Sequence, residues 1–352
     1  MRIFRSPANP IIVPGDVKPS RDDYEVVGVF NPAVARLEDE VVLLLRVAER
    51  PVTTRPNVTV VPIYEHSHAR IIEKEFFRDD PQNDFSDPRF VIRAGQKYLS
   101  SISHLRLARS KNGIDFEIDK TAAIQPAGIY EAFGVEDARI TRIDDEYYVH
   151  YVAVCSSGVT TMLASTIDFT SFHRLGVIFC PDNKDVLIFP QRIAGRFYAL
   201  HRPVSAEFTK RYEIWISESP DLRCWGNHRI LCAPRADSWD AVKIGGGAPP
   251  FKTEYGWLEV YHGVDVDNRY CLGALLLDPD EPWKILARSD TPIFVPQADY
   301  EVAGFVQNVV FTCGLLCEDG RLKIYYGAAD TCICYAEIEL QDVIESLSLQ
   351  GC

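Results

Sequence analysis

The sequence predicts an all-β protein, and within that class a single five-bladed β-propeller domain over residues 1–352 with short terminal extensions. The predicted strands are short, aromatic or β-branched, and bounded by Gly, Asp or Pro, as in "VVLLLRV" and "RLKIYYGAAD". Helical periodicity is scarce, and its best example is the tail "LQDVIESLSL". Internal repetition is the third observation, because four-stranded units of this length are typical of propeller blades.

The repeated units follow one another along the chain. The strand "VVLLLRV" ends the first unit at Arg46. The clearest repeat has a constant offset of 50 residues and contains three matched pairs: Asp87 and Asp137, Arg89 and Arg139, Tyr98 and Tyr148. Later hairpins end in the polar groups "HRP", "HG" and "GAAD", spaced by about 60 to 65 residues. Together these units predict five blades.

Strand ends converge on the central axis of a propeller, which predicts a shared polar funnel. The residues expected there are Arg46, Asp87, Asp137, His201, Arg202, Lys243, His262 and Asp330. In the alternative folds, a β-sandwich or a pair of β domains, the same residues would be scattered. A propeller supports many kinds of chemistry, so the function has to come from the site.

Composition excludes several classes of function. The net charge of −13 disfavours nucleic acid and anionic membranes, which need clustered Lys and Arg. The first residues have no apolar run of 7 to 15 residues, so we expect no signal peptide. No apolar run approaches the roughly 20 residues of a membrane span. The ten cysteines form no C-x-x-C pair and no zinc-finger spacing with histidine. These features predict a cytoplasmic protein with free, mostly buried thiols.

The stretch "FGVEDARI" contains the first candidate for chemistry. Side chains alternate along a strand, so Asp137 and Arg139 are expected on one face and Glu136 on the other. A carboxylate beside a guanidinium is either a structural ion pair or a general acid that keeps its proton through burial or a neighbouring carboxylate. Asp87 occupies the matching place in "FSDPRF", either as a sugar ligand or as a structural feature of each blade.

Three further motifs add polar groups at predicted strand ends. Asp185 precedes the apolar strand of "NKDVLIFP", and Arg202 follows His201 in "YALHRP". In "WDAVKIGGGAPP", Lys243 comes before three glycines, which would let the backbone approach a ligand or form a tight crossover. Carboxylates, bases and aromatic strand ends at one end of a closed β fold fit carbohydrate chemistry. A non-catalytic sugar-binding propeller is the alternative from another functional class.

The order of motifs resembles that of glycoside hydrolase family 130, the mannoside phosphorylases and related β-mannosidases, from about residue 10 to residue 340. The motifs that carry the resemblance are "VFNPAV", "LLLRVAE", "HLRLARSKNGIDF", "GVEDARI", "NKDVLIFP", "ALHRP", "KIGGGAPPFKTEYGWLEVYHGV", "NVVFTCG" and "YYGAAD". The resemblance implies a five-bladed propeller and an inverting reaction. It implies that Asp137 is the general acid, acting through the substrate's 3-hydroxyl, although Ala138 stands where proline is common. Mannosyl contacts are implied at Asn31, Arg46, Asp185 and Asp330.

The same resemblance bears on whether phosphate or water attacks the sugar. Basic residues at the family's phosphate positions are present: Arg46, Arg202, Lys243 and His262. An inverting hydrolase would instead need a second carboxylate with room for a water molecule. The prediction is a metal-independent phosphorylase without a cofactor, which uses inorganic phosphate as co-substrate and forms α-mannose 1-phosphate and a shortened sugar. A β-mannosidase on the same scaffold is the alternative.

Linkage specificity is inferred from similarity to one branch of the family. The motifs "NKDVLIFP" and "DNRY" and the short chain look most like the branch that acts on β-1,2-linked mannosides. Phosphorylases of β-1,4-mannosides are the alternative branches. The expected partners are a β-mannoside and phosphate, with neither nucleic acid nor membrane. Members of the family often assemble, so the resemblance allows a homo-oligomer.

Overall fold

Antiparallel β-sheet makes up most of the fold, which confirms the all-β prediction. The computed structural model describes residues 1–204 and 211–349. Its two α-helices are short: α1, Asp299–Val302, and α2, Leu340–Ser346. No helix within these described residues is long and apolar enough to cross a membrane.

The strands of the first half of the chain are mostly paired with their neighbours in sequence. In chain order they are β1 Ile3–Arg5, β2 Tyr24–Leu37, β3 Glu40–Pro51, β4 Val58–Glu65, β5 Arg70–Phe77, β6 Asn83–Asp84, β7 Phe90–Arg93, β8 Gln96–Leu99, β9 Ile102–Ser110, β10 Glu117–Ile118, β11 Val135–Ile143, β12 Glu146–Cys155, β13 Gly158–Thr166 and β14 His173–Phe179. Single 3-10 turns occur at Pro14–Asp16, His66–His68 and Ile129–Glu131.

The second half continues the same pattern of hairpins. Its strands are β15 Asn183–Ile188, β16 Phe197–Pro203, β17 Ile214–Ser219, β18 Gly226–Cys232, β19 Lys243–Gly246, β20 Phe251–Thr253, β21 Gly256–Val264, β22 Tyr270–Leu277, β23 Ile285–Ser289, β24 Val310–Glu318, β25 Arg321–Ala328, β26 Cys332–Glu339 and β27 Leu347–Leu349. Helix α2 follows β26, so the helical pattern predicted for the tail is confirmed there.

Among the described residues, five sheets have at least four strands. Sheet 1 has the order β10-β9-β3-β2, sheet 2 is β11-β12-β13-β14, and sheet 3 is β15-β16-β17-β18. Sheet 4 runs β19-β21-β22-β23-β27, with β20 beside β21, and sheet 5 runs β1-β26-β25-β24. The N-terminal strand β1 therefore completes a sheet built from the C-terminal part of the chain, which ties the two ends together.

The hydrophobic core lies between consecutive sheets. Four clusters pack sheet 1 on sheet 2, sheet 2 on sheet 3, sheet 3 on sheet 4 and sheet 4 on sheet 5. A fifth cluster, which includes Val29, Leu45, Tyr325 and Ile333, packs sheet 5 back on sheet 1. Each sheet is thus buried on both faces by its neighbours, which explains the continuous apolar runs in the sequence.

The predicted repeat of 50 residues does not mark two equivalent sheets. The segment around Asp87 forms a small separate sheet, β6-β7-β8, whereas Asp137 lies in the four-stranded sheet 2. Strands β7 and β8 have four residues each and join through a tight turn at Ala94 and Gly95, both with positive φ. The shared pattern therefore describes only a local hairpin. This small sheet and the β4-β5 hairpin are inserted between β3 and β9, and Tyr98 packs against Phe133.

The cysteines agree with the expected free thiols as far as the structure describes them. All nine cysteines within residues 1–204 and 211–349 are free, and six of them are buried. Buried thiols occupy strand interiors, as at Cys313 and Cys334, where they pack as small hydrophobic groups. Cys352 lies outside the described residues.

Candidate active site

Asp137 occupies a break in strand β11 rather than a regular strand position. The pairing register with β12 shifts between Glu136 and Arg139, and Asp137 has a left-handed backbone with φ 43°. The irregularity cancels the predicted alternation, because Glu136 and Asp137 both reach the guanidinium of Arg46. A bulge of this kind commonly re-aims a side chain next to a functional site. Asp137 is only 6% exposed.

Two residues from sheet 1 hold the Asp137 carboxylate. Arg46 Nη1 donates to Asp137 Oδ1 at 2.9 Å, and Asn31 Nδ2 donates to the same oxygen at 3.1 Å. Arg46 also pairs with Glu136 at 2.7 Å and lies over the ring of Phe30. These contacts bring predicted site residues Asn31, Arg46 and Asp137 together at the contact between sheets 1 and 2.

The close packing of Asn31 against sheet 5 requires glycine at position 327. A Cβ atom at Gly327 would come within 2.2 Å of Asn31 Oδ1, which real side chains do not tolerate. Asn31 itself has a left-handed backbone, with φ 48°, and asparagine tolerates that conformation better than most residues. The "YYGAAD" motif of sheet 5 therefore supports the amide that holds the Asp137 carboxylate.

Buried Asp137 and half-buried Asp330 have pKa values displaced in opposite directions. Burial opposes ionisation of Asp137, but the charges of Arg46, Lys184 and Arg139 and the bond from Asn31 lower its pKa below the usual range. Burial and the negative charge of Asp137 raise the pKa of Asp330 to about 6, against the lowering effect of Arg46. In the free protein at neutral pH, Asp137 is therefore ionised, and Asp330 holds its proton more tightly.

Asp185 is the centre of a second cluster, built by sheets 3 and 4. Arg202 Nε donates to Asp185 Oδ2 at 2.7 Å, and His262 Nε2 lies 3.6 Å from the same oxygen. Burial would raise the pKa of Asp185, but the charges of Arg202 and Arg139 lower it strongly. Asp185 also has a left-handed backbone, with φ 53°, at a register shift in the pairing of β15 with β16.

Arg139 connects the two clusters, a role that the sequence did not reveal. Its Nη1 donates to the backbone carbonyl of Asp137 at 3.0 Å, and its Nη2 lies 3.4 Å from Asp185 Oδ1. The same guanidinium donates to the carbonyls of Gly246 and Gly247, at 3.0 and 3.1 Å. Arg139 is 1% exposed, so it sets the spacing of the two aspartates from inside the protein.

The three glycines after Lys243 are needed for packing within the site. A Cβ atom at Gly245 would come within 2.4 Å of Asp185 Oδ2 and 2.6 Å of His262 Cε1. At Gly247 it would come within 2.2 Å of the Val260 carbonyl oxygen. The close backbone approach expected at these glycines is therefore made to protein side chains and backbone.

Lys243 supplies a cation with an unusually low pKa. Burial and the positive charges of Arg202 and Lys184 together lower its pKa to about 7, against the opposing effect of Asp185. Its ammonium donates to the hydroxyl of Tyr270. Half-buried cations crowded in this way favour an anion between them. Lys184 and Tyr270 are members of this group that the sequence analysis did not single out.

The two histidines predicted for the funnel lie in different places. His262 is in the Asp185 cluster, but burial lowers its pKa to about 3, so it is a neutral hydrogen-bonding group at physiological pH. His201 was wrongly placed in the same funnel. It stacks on Phe179 of sheet 2, on the opposite face of β16 from Arg202. Side-chain alternation along β16 is the reason, because neighbouring residues point to opposite faces.

Asp87 lies on the inserted small sheet, where its carboxylate is held by Arg89. Arg89 Nη2 donates to Asp87 Oδ2 at 2.6 Å, and its Nε also donates to the carboxylate. This differs from Asp137, whose carboxylate is held by Arg46 instead of Arg139. The charge of Arg89 nevertheless acts on Asp330 and Lys243, which places the tip of the insertion near the site.

Glu259 is a buried carboxyl beside the glycine segment. Gly247 N donates to its Oε1 at 3.2 Å, whereas Oε2 has no hydrogen-bond partner within the described residues. Burial raises the pKa of Glu259 to about 8, against the lowering effects of the Gly247 amide and Arg139. The folded protein therefore keeps a proton on Glu259 that the unfolded chain releases above its ordinary pKa of 4.5.

Replacing Glu259 by glutamine is expected to stabilise the protein increasingly as pH rises from 5 to 8. Between the unfolded and folded pKa values the native state binds the extra proton, so parental stability falls with pH by up to about 1.4 kcal/mol per unit. A neutral glutamine lacks this dependence. Urea unfolding at pH 5 and pH 8 measures it, and parallel pH dependence of parent and variant would contradict the assignment.

Glu301→Gln is the matched control for this experiment. Glu301 is equally buried, but Arg5 and two backbone amides overcome the effect of burial and lower its pKa. Its ionised form is the stabilising one above the ordinary carboxyl pKa. Glu301→Gln should therefore cost stability across pH 5 to 8, opposite in sign to Glu259→Gln.

Comparisons with known proteins agree on one family. The glycoside hydrolase family 130 model, described as β-1,4-mannooligosaccharide phosphorylase, matches residues 85–349. A β-1,2-mannobiose phosphorylase from Listeria innocua is 44% identical and is covered over the full length of both chains. A 1,2-β-oligomannan phosphorylase from Thermoanaerobacter is 38% identical over 70% of this chain and 82% of that protein. The solved structure of the Listeria innocua enzyme with β-1,2-mannobiose superposes with a TM-score of 0.96 at 45% identity, over 99% of both chains.

Proposed function

The chain belongs to glycoside hydrolase family 130, and we propose that it catalyses the inverting phosphorolysis of β-1,2-linked mannobiose or oligomannosides. The products would be α-mannose 1-phosphate and a sugar shortened by one mannose. The observation that carries the proposal is the group of cations around Asp185, tied through Arg139 to the Asp137 carboxylate. The full-length likeness to a β-1,2-mannobiose phosphorylase supports the choice of linkage.

Arg202, Lys243 and His262 would form the phosphate pocket. Arg202 and Lys243 supply positive charge, and neutral His262 supplies a hydrogen bond. Arg46 is engaged differently, since Glu136 and Asp137 already pair with its guanidinium. A share of Arg46 in phosphate binding therefore stays a prediction, and it would require Glu136 to move away.

Asp137 would act as the general acid. Phosphate oxygen would form a bond to the anomeric carbon on the face opposite the leaving sugar, while the glycosidic carbon–oxygen bond breaks. The leaving oxygen would take its proton from Asp137 by way of the substrate's 3-hydroxyl. Asn31, Arg46, Asp185 and Asp330 would contact the mannosyl unit at this point, and Asp87 would contribute through the inserted sheet.

Phosphate binding would also prepare the acid. In the free protein, the charges of Arg46, Lys184 and Arg139 keep Asp137 ionised despite its burial. A phosphate anion in the pocket of Arg202, Lys243 and His262 would add negative charge near Asp137, offset the effect of these cations and raise the pKa of Asp137. The acid would then take up a proton when both substrates are present, which couples proton delivery to the availability of the nucleophile.

The arrangement of the five sheets is also part of the proposal. We propose that the five sheets are the blades of a single propeller domain, supported by the five core clusters that join each sheet to the next and sheet 5 to sheet 1.

The reaction transfers a mannosyl group to phosphate, so we class the enzyme with the glycosyltransferases and propose no cofactor. We also propose a cytoplasmic location, supported by the free cysteines, and leave a homo-oligomer as a prediction.

Incubation with β-1,2-mannobiose, with and without inorganic phosphate, tests the proposed function. We expect α-mannose 1-phosphate and mannose in equal amounts, and only when phosphate is present. Release of free mannose without phosphate would instead identify a hydrolase. β-1,4-Mannobiose, assayed in parallel, is expected to react much more slowly, and preferential cleavage of that substrate would overturn the linkage.

A further inference from the structure

A cavity of about 570 Å³ lies between sheets 2 and 3, outside the two aspartate clusters. We propose that it is a second carbohydrate site that binds one pyranose unit of a β-mannoside. The choice of mannoside rests on the proposed function. The volume is within the range of small-molecule pockets, about 300 to 1,000 Å³.

Aromatic rings form one wall of this cavity. The Phe179 ring stacks with His201 at a centroid distance of 4.6 Å and with Trp225 at 5.5 Å, each at an interplanar angle of 27°. The Trp225 indole nitrogen donates to the carbonyl of Leu222 at 2.9 Å, which holds the ring in place. Trp215 also lines the cavity, 6.5 Å from His201. Ring faces carry partial negative charge, which favours the C–H groups of a sugar.

Buried polar groups complete the lining. Asn183 and Glu213 are each 7% exposed. Asn183 Nδ2 donates to His201 Nδ1 at 3.0 Å, whereas Asn183 Oδ1 has no hydrogen-bond partner within the described residues. Glu213 pairs with Arg211 at 3.1 Å. A carboxylate and a guanidinium side by side can accept from and donate to neighbouring hydroxyls of one sugar.

The hydrogen bonds also define the state of the two histidines. His201 Nδ1 accepts from Asn183, so in the neutral ring its Nε2 carries the proton and donates to His228 Nδ1 at 3.1 Å. Burial and the neighbouring His228 lower the pKa of His201 to about 3, which agrees with a neutral ring. Because His228 Nδ1 accepts this bond, its Nε2 is a donor at the exposed rim of the cavity.

These groups suit a neutral polyol better than an anion. The Arg211 charge is matched by Glu213, and the Asn183, Phe179, Trp215 and Trp225 side chains of the lining carry no charge. The cavity is also distinct from the catalytic cluster, because Asn183 and His201 face sheet 2, whereas Arg202 faces Asp185 and sheet 4. A mannosyl unit bound here would belong to a second molecule or to a distant part of a longer chain.

Calorimetric titration with β-1,2-mannotriose in phosphate-free buffer tests the site, with tryptophan fluorescence as a second readout because Trp215 and Trp225 line the cavity. We expect two equivalents bound by the parent. His228→Ala and Glu213→Gln should each weaken one of the two sites at least tenfold and leave turnover of β-1,2-mannobiose unchanged. His173→Ala, at an exposed histidine of neighbouring β14, should behave as the parent.

The binding measurements test the second carbohydrate site, and the turnover measurements test the proposed phosphorolysis, so failure of one can be told from failure of the other. One equivalent bound by the parent, or two equivalents retained by both variants, would overturn the second site. Unchanged turnover and melting temperature in the variants would show that they are folded. If phosphorolysis itself failed but two equivalents still bound, the proposed function would be wrong and the carbohydrate site would stand.

Discussion

Replacing Asp137 by asparagine is expected to lower the phosphate-dependent turnover of β-1,2-mannobiose by about 10² to 10⁴-fold, the usual contribution of a general acid. Asparagine has nearly the same shape and can still accept hydrogen bonds from Arg46 and Asn31 through Oδ1. It has no acidic proton to deliver. Initial rates of α-mannose 1-phosphate formation measure the effect, and near-normal turnover would remove Asp137 from this role.

An aryl β-mannoside with an acidic phenol separates acid catalysis from general damage to the site. Such a leaving group departs without protonation, so the Asp137→Asn variant should lose much less activity on it than on mannobiose. Glu136→Gln is the matched control, because it removes the other carboxylate from Arg46. We expect its effect on mannobiose to be far smaller. Equal losses on both substrates would point to a positioning role for Asp137.

Replacing Lys243 by alanine is expected to raise the KM for phosphate by about 10- to 100-fold, the equivalent of one hydrogen bond to a charged group. Lys243 lies in the field of Arg202 and Lys184, where an anion would relieve the repulsion that lowers its pKa. The KM for mannobiose should change little. Lys252→Ala, at an exposed lysine of β20 in the same sheet, is the control. An unchanged phosphate requirement would exclude Lys243 from the pocket.

The same lysine predicts a pH dependence. With a pKa of about 7, Lys243 is charged below that pH and loses its proton above it, so kcat/KM for phosphate should fall as pH rises through 7. Lys243→Arg keeps its charge throughout this range and should move the decline to higher pH. The phosphate ion titrates identically in both assays, so the ratio of the two profiles isolates the lysine. A constant ratio would contradict the assignment.

The residues predicted to share one polar funnel form two clusters in the structure, and His201 lies in neither. Asn31, Arg46 and Asp137 meet, and Asp185, Arg202 and His262 meet, because neighbouring sheets pack together. All six lie within strands rather than at the strand ends that the apolar pattern predicted. His201 and Arg202 are adjacent in sequence yet lie on opposite faces of β16. The sequence around Asp87 does resemble that around Asp137, but the two segments belong to sheets of different size. A short hairpin pattern can recur in a sequence although the surrounding sheets are not repeated.

Local sequence was enough for the all-β class and for the approximate positions of the strands, although not for where each strand ends. These depend on periodicity and on neighbouring residues, which one chain displays directly. Tertiary structure alone decided the conformations at Asp137 and Asp185, where a left-handed residue and a register shift re-aim each carboxylate. It also decided the role of Arg139, which binds carbonyls 107 and 108 residues away. Such contacts, and the burial that displaces the pKa values of Lys243 and Glu259, arise only when distant strands are packed together.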